Sequence, residues 1–435
     1  MSKSFKTIDT SDTSDSWSAS KHVFQKLYNA KLTKTQSQAD LIWSDCQWTD
    51  NKPDENVIKN INSDQTINYF PKACDIFRKD ILNDNILKME RKFPGQFECI
   101  LPKSWSLPEE YSKFIKDLEK LEQLDQDAIQ YFIVKPNDEQ RGCGIYIIDS
   151  QSIKNDLNEF SDCIVSKYIG NPLTIEGYKT DLRIHVLIAS LDPLKIYIHK
   201  EGYLRLATSK YELPNLENSR NLFMHLTNWS LNKSNPRNPF TSSSSSSSYD
   251  AGKDFSVQES EGKLLRSLTH FNAKMLEKKD VDNDKLRDIY KDIDRIIFKT
   301  ILASLESLKQ DYEQTFGPII RKHDQTISNN NTPQAFQLLG YDVMLDENYK
   351  PWFIEINHNP DLDDEPELLA GKVCRKLIAD TIEIMGELNG SVLRKEKFEN
   401  IEKDEYSDVY GIKENYFEEL DLEQCMDELN RNTCK

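Results

Sequence analysis

Three oxygen-bearing side chains, Asp342, Glu355 and Asn357, fall in the stretch Phe336 to Pro360, FQLLGYDVMLDENYKPWFIEINHNP, at spacings that suit a hard cation. Two apolar runs, Leu338 to Leu345 and Trp352 to Ile356, flank Asp346 to Pro351. The Asp, Asn and Pro of that middle piece favour a turn, so the stretch reads as a β-hairpin. If Leu345 pairs with Trp352, Asp342 falls directly opposite Glu355, and the two-residue period puts Asn357 on the face of Glu355. Like charges opposed on a sheet cost up to ~1 kcal/mol. A cation between them removes that cost, and Mg²⁺, which keeps several waters and shares its remaining coordination with nucleotide phosphates, suits such oxygens. The alternative is a solvated edge hairpin with its polar residues facing out.

Cationic groups that such a centre would need lie upstream. In Tyr131 to Asp149, YFIVKPNDEQRGCGIYIID, two β-rich runs enclose a polar loop with Gly142 and Gly144. No Gly-Lys-Ser/Thr follows and no helix opens after the glycines, which excludes a Walker A loop and a Rossmann fingerprint. Two readings stay open: an ordinary hairpin turn, or a phosphate-binding lysine, Lys135, beneath a glycine flap whose N–H groups approach phosphate oxygens. In YKTDLRIHVLIASL, Lys179, Asp181, Arg183 and His185 share one face, while Leu182, Ile184 and Val186 share the other. Lys and Asp are depleted in strands, which favours a functional row over an ion-pair ladder. A hairpin at Glu201-Gly202 delivers Arg205 to the start of a strand. Ile76, Phe77, Ile81, Leu82, Ile86, Leu87 and Met89 recur at near-helical spacing, with Arg78 and Lys79 near the start of that helix. Taken alone, the basic pair reads as a wet helix face.

The surrounding elements are short strands at Leu41 to Trp43 and before Tyr168, a helix after Pro108 carrying Phe114, Ile115, Leu118, Leu121 and Leu124, and a long helix from Asp284 to Leu308. A last helix runs from Pro366 to Leu388, with Leu369, Val373, Leu377 and Ile384 facing in. Met1 to Ser20 reads as a disordered tail, and the serine run Ser242 to Ser248 as a floppy insertion. A length of 435 residues suggests two or three domains. No apolar run approaches the ~20 residues of a membrane span and no apolar h-region opens the chain, so a cytosolic protein is expected. The eight cysteines are scattered without a CxxC, which argues for reduced thiols and against structural zinc. A formal charge of −17 and a pI near 5.0 disfavour nucleic acid and anionic membranes. A locally basic cleft still remains able to hold an anion, because the Debye length is only about 8 Å.

Six stretches then carry a resemblance: NYFPKACDIFRKDILNDNILKM, FECILPKSWSLPEE, FIVKPNDEQRGCGIYII, KYIGNPLTIEGYKTDLRIHVLIASLDPLKIYIHKEGYLRLATSKY, FMHLTNWSLNK and LLGYDVMLDENYKPWFIEINHNPDL. In this order, from about Leu41 to Leu388, they resemble the tubulin tyrosine ligase-like family of ATP-grasp amino-acid ligases. The resemblance implies an α/β (α+β), ATP-grasp-like fold with nucleotide bound between a central and a C-terminal sheet. The expected division is a disordered tail over 1–20, an N-terminal domain over 21–127, a central subdomain with the flap over 128–210, a C-terminal subdomain over 211–390 with a flexible insertion at 234–260, and an acidic tail over 391–435.

The resemblance also implies roles. ATP and Mg²⁺ are the expected cofactors. Lys79 and Lys135 match phosphate-contacting lysines, and Arg141, Gly142 and Gly144 belong to the flap. Lys179 and the backbone from Val165 through Ser166 and Lys167 to Tyr168 match the adenine side. Arg183 and Arg205 match arginines near the γ-phosphate and acceptor, and Asp342, Glu355 and Asn357 match the magnesium ligands. Asp181, His225, Thr227 and Asn228 line the same cleft. The implied reaction is attack of a substrate carboxylate on the γ-phosphorus, then displacement of the acyl phosphate by the amine of an incoming amino acid. NYFPKACDIFRKD resembles the glutamate-adding branch, and His358 resembles the subset that extends existing side chains, where an imidazole would meet an acceptor carboxylate. The expected partners are therefore the acidic C-terminal tails of tubulin or microtubules, free L-glutamate and accessory subunits, in the cytoplasm and cytoskeleton and at a cilium, axoneme or basal body. Cys143, Thr180 and Asp361 depart from the family pattern. An inactive or accessory subunit, and a ligase for glycine or for a non-tubulin acidic protein, are the competing readings.

Overall fold

The computed structural model describes residues 7–10, 18–44, 57, 60–62, 65–71, 73–97, 100–124, 129–137, 142–155, 162–240, 263–323, 335–358, 369–388 and 417–432. At the N-terminus, β1 (Thr7–Asp9), β2 (Lys31–Thr33), β3 (Leu41–Ile42) and β4 (Thr66–Ile67) form a parallel sheet in the order β2-β1-β3-β4. This corrects the expected disordered tail. Ile8 is buried in a core with Phe24, Trp43 and Leu377, so one apolar side chain under large partners orders a strand that its polar neighbours conceal.

The single expected helix over 76–89 is two, α1 (Cys74–Phe77) and α2 (Lys79–Lys92), because Arg78 leaves helical geometry at ψ 124°. The break makes Lys79 the first residue of α2. A second sheet, antiparallel in the order β5-β8-β6-β7, contains β5 (Ser104–Leu107), β6 (Tyr131–Pro136), β7 (Tyr146–Asp149) and β8 (Cys163–Lys167). One face is covered by α3 (Tyr111–Leu124), whose Phe114 and Leu118 pack on Trp105 and Phe132. The other face, with Ser104, Ile164, Ser166 and Lys135, lines the cleft. The sequence reading did not anticipate β5.

The largest sheet is built from β9 (Thr174–Ile175), β10 (Tyr178–Leu191), β11 (Leu194–His199), β12 (Tyr203–Lys210), β13 (Leu265–Ser267), β14 (Gln337–Leu345), β15 (Pro351–Asn357) and β16 (Phe417–Glu419). β10 is its axis: β12 and then β11 pair along one edge, and β9 and then β14 along the other. The long α4 (Asn283–His323) outruns the expected Asp284 to Leu308, and its Ile293, Ile297 and Ile301 share a core with Leu182, Ile184 and Val186 of β10. On the opposite face, the row that begins Lys179-Asp181-Arg183-His185 turns apolar at Leu187 and Ala189. These lie under Leu377 and Ile378 of α5 (Leu369–Leu388).

Two further expectations change. Residues 234–240, placed in the flexible insertion, are described, with Asn235 and Asn238 buried and Asn235 donating to the Thr208 hydroxyl at 2.7 Å. Within the acidic C-terminal stretch, β16 adds an antiparallel edge strand to β11. The serine run, Asp361 and Pro366 lie outside the described residues. No described helix is long and apolar enough to cross a membrane.

Candidate active site

The β14–β15 hairpin opposes Asp342 to Glu355 and pairs Gly340 with Asn357. The register at the turn differs from the expectation. Leu345 opposes Pro351 rather than Trp352, and a bulge at Ile354 takes up the extra residue. Asp346 holds the turn: its Oδ1 accepts from the Asn348 and Lys350 amides at 2.9 and 3.1 Å, and its Oδ2 accepts from the Trp352 indole at 3.0 Å. A local side-chain brace thus sets the turn, and the bulge restores the opposed carboxylates.

Two cross-strand ion pairs converge on Asp342. Arg183 lies opposite Asp342, and Arg205 lies opposite Asp181. The Arg183 guanidinium grips both oxygens of Asp342, through Nε and, at 3.2 Å, NH2. Arg205 donates from Nε to Asp181 at 2.8 Å and reaches Asp342 at 2.6 Å, while the Thr227 hydroxyl donates to Asp181 at 2.8 Å. The charged row of β10 is thus built into an ion-pair ladder, the alternative to a functional row. Burial alone would raise the Asp342 pKa, but the two guanidinia hold it well below the usual carboxylate range.

Glu355 is different. Its carboxylate is about a quarter exposed and meets the Lys79 ammonium at 3.5 Å. Lys79, Lys135, Ser166 and Glu355 line one cavity between α2, the second sheet and β15. Lys135 is half-buried there. Burial pushes its ammonium down to about 8, the Lys79 charge adds to the fall, and Glu355 opposes it. Asn357 presents an Nδ2 that is buried without a partner among the described residues. The two carboxylates and the Asn357 Oδ1 are the hard oxygens that a divalent cation would take, while the unpaired Nδ2, a donor, calls for an acceptor beside it. No three His, Cys, Asp or Glu side chains cluster for a metal among the described residues, so the third ligand of such a site has to be the amide.

A relay lies at the other end of the cleft. Lys179 donates to the Tyr168 hydroxyl at 2.9 Å and also sits over the Tyr168 ring, and that hydroxyl lies 2.9 Å from His225 Nδ1. His225 Nε2 faces the Asn218 carbonyl at 3.1 Å, which can only accept, so Nε2 carries the proton and Nδ1 accepts from Tyr168. Burial and then the nearby Lys179 push His225 down to about 4, consistent with that neutral tautomer. Burial brings Lys179 itself to about 7, against the pull of Asp181.

Gly142 adopts φ +83°, and a Cβ there would lie 3.2 Å from Asn228 Cγ, so the flap loop closes tightly against Asn228. Gly144 also has positive φ. Lys167 is exposed, and Arg141 lies outside the described residues. His185 packs edge-on against His199 and Tyr203. His358 stacks on Phe77 at 4.2 Å, and burial pushes it down to about 4, so the ring is neutral at pH 7. Sequence reasoning missed Gly340: a Cβ there would lie 3.0 Å from Arg183 Cδ, so the bare backbone leaves the channel through which Arg183 reaches Asp342. A glycine inside the apolar run QLLGYDVML was the available signal.

Comparison with known proteins follows the same lines. The model of the tubulin-tyrosine ligase family matches residues 58–392. A probable beta-tubulin polyglutamylase of Tetrahymena thermophila is 33% identical over 365 residues, 84% of this chain and 27% of that protein. Tubulin polyglutamylase TTLL6 of Mus musculus is 32% identical over 321 residues, 74% of this chain and 34% of its own length. Tubulin polyglutamylase TTLL7 of Homo sapiens is 30% identical over 321 residues, 74% of this chain and 32% of its own length. The chain thus spans about a third or less of the length of these relatives.

Proposed function

The chain belongs to the tubulin-tyrosine ligase family, and on that premise we propose that it is an ATP-dependent ligase that adds glutamate to glutamate side chains of tubulin C-terminal tails. The observation that carries this reading is the meeting of Lys79, Lys135 and Glu355 in one cavity beside the Asp342 ion ladder. The expected boundary at 210 would cut the large sheet, in which β10 pairs with β14, so the proposed division differs from it: β1 to α2 form the N-terminal domain, the second sheet with β5 is the central subdomain, and the large sheet from β9 onward with α4 and α5 is the C-terminal one.

An acceptor carboxylate oxygen bonds to the γ-phosphorus as the bond to ADP breaks. The amine nitrogen of free glutamate then bonds to the carbonyl carbon, phosphate leaves, and the amine proton passes to solvent. No enzyme nucleophile is required, so the residues act by position and charge. Lys79 and Lys135 hold phosphate oxygens, Arg183 and Arg205 face the transferring group, and the flap loop at Gly142 excludes water. Asp342, Glu355 and Asn357 would hold Mg²⁺, which when bound supplies charge neutralisation at the phosphates. Lys179 and Tyr168 flank the adenine. The proposed partners are microtubules and free L-glutamate, with accessory subunits, in the cytoskeleton and at cilia. Chain extension is assigned to the neighbourhood of His358, which as a neutral ring offers an acceptor chain a hydrogen bond rather than a charge.

Incubation with MgATP, tubulin and each labelled amino acid in turn tests the proposal. Incorporation of glutamate alone is expected. Glycine incorporation sinks it, and MgATP binding without turnover points instead to an accessory subunit.

A further inference from the structure

The cavity that holds Lys79 and Lys135 has a lining residue with no assigned part in the chemistry. Helix α2 places Asn83 one turn beyond Lys79, on the same face, and both line the cavity with Lys135 and Glu355. Asn83 is 7% exposed, and its Nδ2 has no hydrogen-bond partner among the described residues. The nearby hydroxyls are satisfied: Ser104 donates to the Pro102 carbonyl at 2.7 Å and lies 2.8 Å from the Ser166 hydroxyl.

A buried donor left unpaired costs about 1–3 kcal/mol. Asn is also a poorer helix former than Leu or Ala. The fold alone would therefore be better served by an apolar residue at this position. The balance of the cavity says what would repay the amide. Two ammoniums and an N–H donor face a single carboxylate, Glu355, which is engaged by Lys79 at 3.5 Å. Donors outnumber acceptors, and the missing acceptor is an anionic oxygen.

We propose that Asn83 is a substrate-contacting residue whose Nδ2 donates to an anionic oxygen held between Lys79 and Lys135. The proposal rests on the ligase reading of the cleft. The oxygen has two sources in that reaction, a phosphate of the nucleotide or a carboxylate of the incoming amino acid.

The test uses the full chain with Asn83→Leu, which removes the amide, and Asn83→Asp, which keeps the shape without a donor. Ligand-free Asn83→Leu is expected to melt at or above the wild-type temperature, since an unsatisfied donor has gone. In turnover, the KM of one substrate should rise about tenfold with kcat nearly unchanged. A rise for ATP identifies the phosphate, and a rise for glutamate identifies the carboxylate. Both KM values within about twofold of wild type overturn the proposal. If Asn83→Leu does not fold, Asn83→Asp decides by the same two KM values. If the wild-type chain shows no ligation, the ligase reading fails separately, and binding of inorganic triphosphate and of free glutamate, each measured by calorimetry, takes over. Weaker binding of either ligand by the variants upholds the Asn83 contact, whereas equal binding of both, or binding of neither by the wild type, overturns it.

Discussion

Asp342 and Glu355 face each other across one hairpin, yet the structure treats them in opposite ways. Asp342 is 1% exposed and both its oxygens are claimed by Arg183 and Arg205, whereas Glu355 is 23% exposed and meets the Lys79 ammonium at 3.5 Å. The difference extends to each half of the cleft. On the Asp342 side, planar guanidinia span carboxylates in fixed forks, and Thr227 completes the set at Asp181. On the Glu355 side, lysines act as point charges, and Asn83 and Asn357 keep unpaired Nδ2 groups. Asp342 is charge-paired within the fold before any ligand arrives, and a cation there would share its oxygens with the two guanidinia. Around Glu355, buried N–H donors stand unpaired among the described residues and call for an anion.

Glu355→Gln should show the largest effect, a loss of ligation of about 10³-fold with little change in melting temperature, because the lost group serves the ligand rather than the fold. Substantial activity in that variant would break the comparison. Asp342→Ala should do the reverse on the stability axis, lowering the unfolding free energy in urea by about 3–5 kcal/mol, since two buried guanidinia lose their shared partner. A cost near zero would mean the ladder is not pre-built.

Proton linkage offers a subtler check. Lys179 titrates at about 7 in the ligand-free cleft, against 10.5 for an ordinary lysine. The unfolded chain therefore holds more protons at this group between those values, and its contribution makes stability rise with pH across that window. Binding that favours the charged ammonium must take up a proton above about pH 7, so ATP affinity should fall as pH rises, by at most about tenfold per unit. Calorimetry in buffers of different ionisation heat checks this, and identical heats with a flat affinity would refute it. The smallest effect belongs to Gly340→Ala. The added methyl presses on Arg183 Cδ at 3.0 Å, so stability should fall by only about 1 kcal/mol and kcat about threefold, measured by urea melts and steady-state turnover.

The sequence alone determined which side chains share a face. The two-residue period put Lys179, Asp181 and Arg183 of β10 in one row and Glu355 and Asn357 of β15 on one face, because alternation along a strand is local geometry. The composition of the Asp346 to Pro351 turn was equally legible, but its register was not: Leu345 opposes Pro351, and the pairing shifts by one residue at Ile354, which strand alternation does not supply. Short elements escaped for the same reason. The strand at Thr7–Asp9 exists because Trp43 and Phe24 cover Ile8, and Asn83 looks like any polar helix residue until α2 is laid against the cleft. Only the tertiary structure decided partnership. Arg183 and Asp342 are 159 positions apart in the chain, and the sheet that makes them neighbours also removes the water that would otherwise screen them. The period therefore fixes the face a charge occupies, while burial and long-range register fix whether that charge is already paired or is waiting for a ligand.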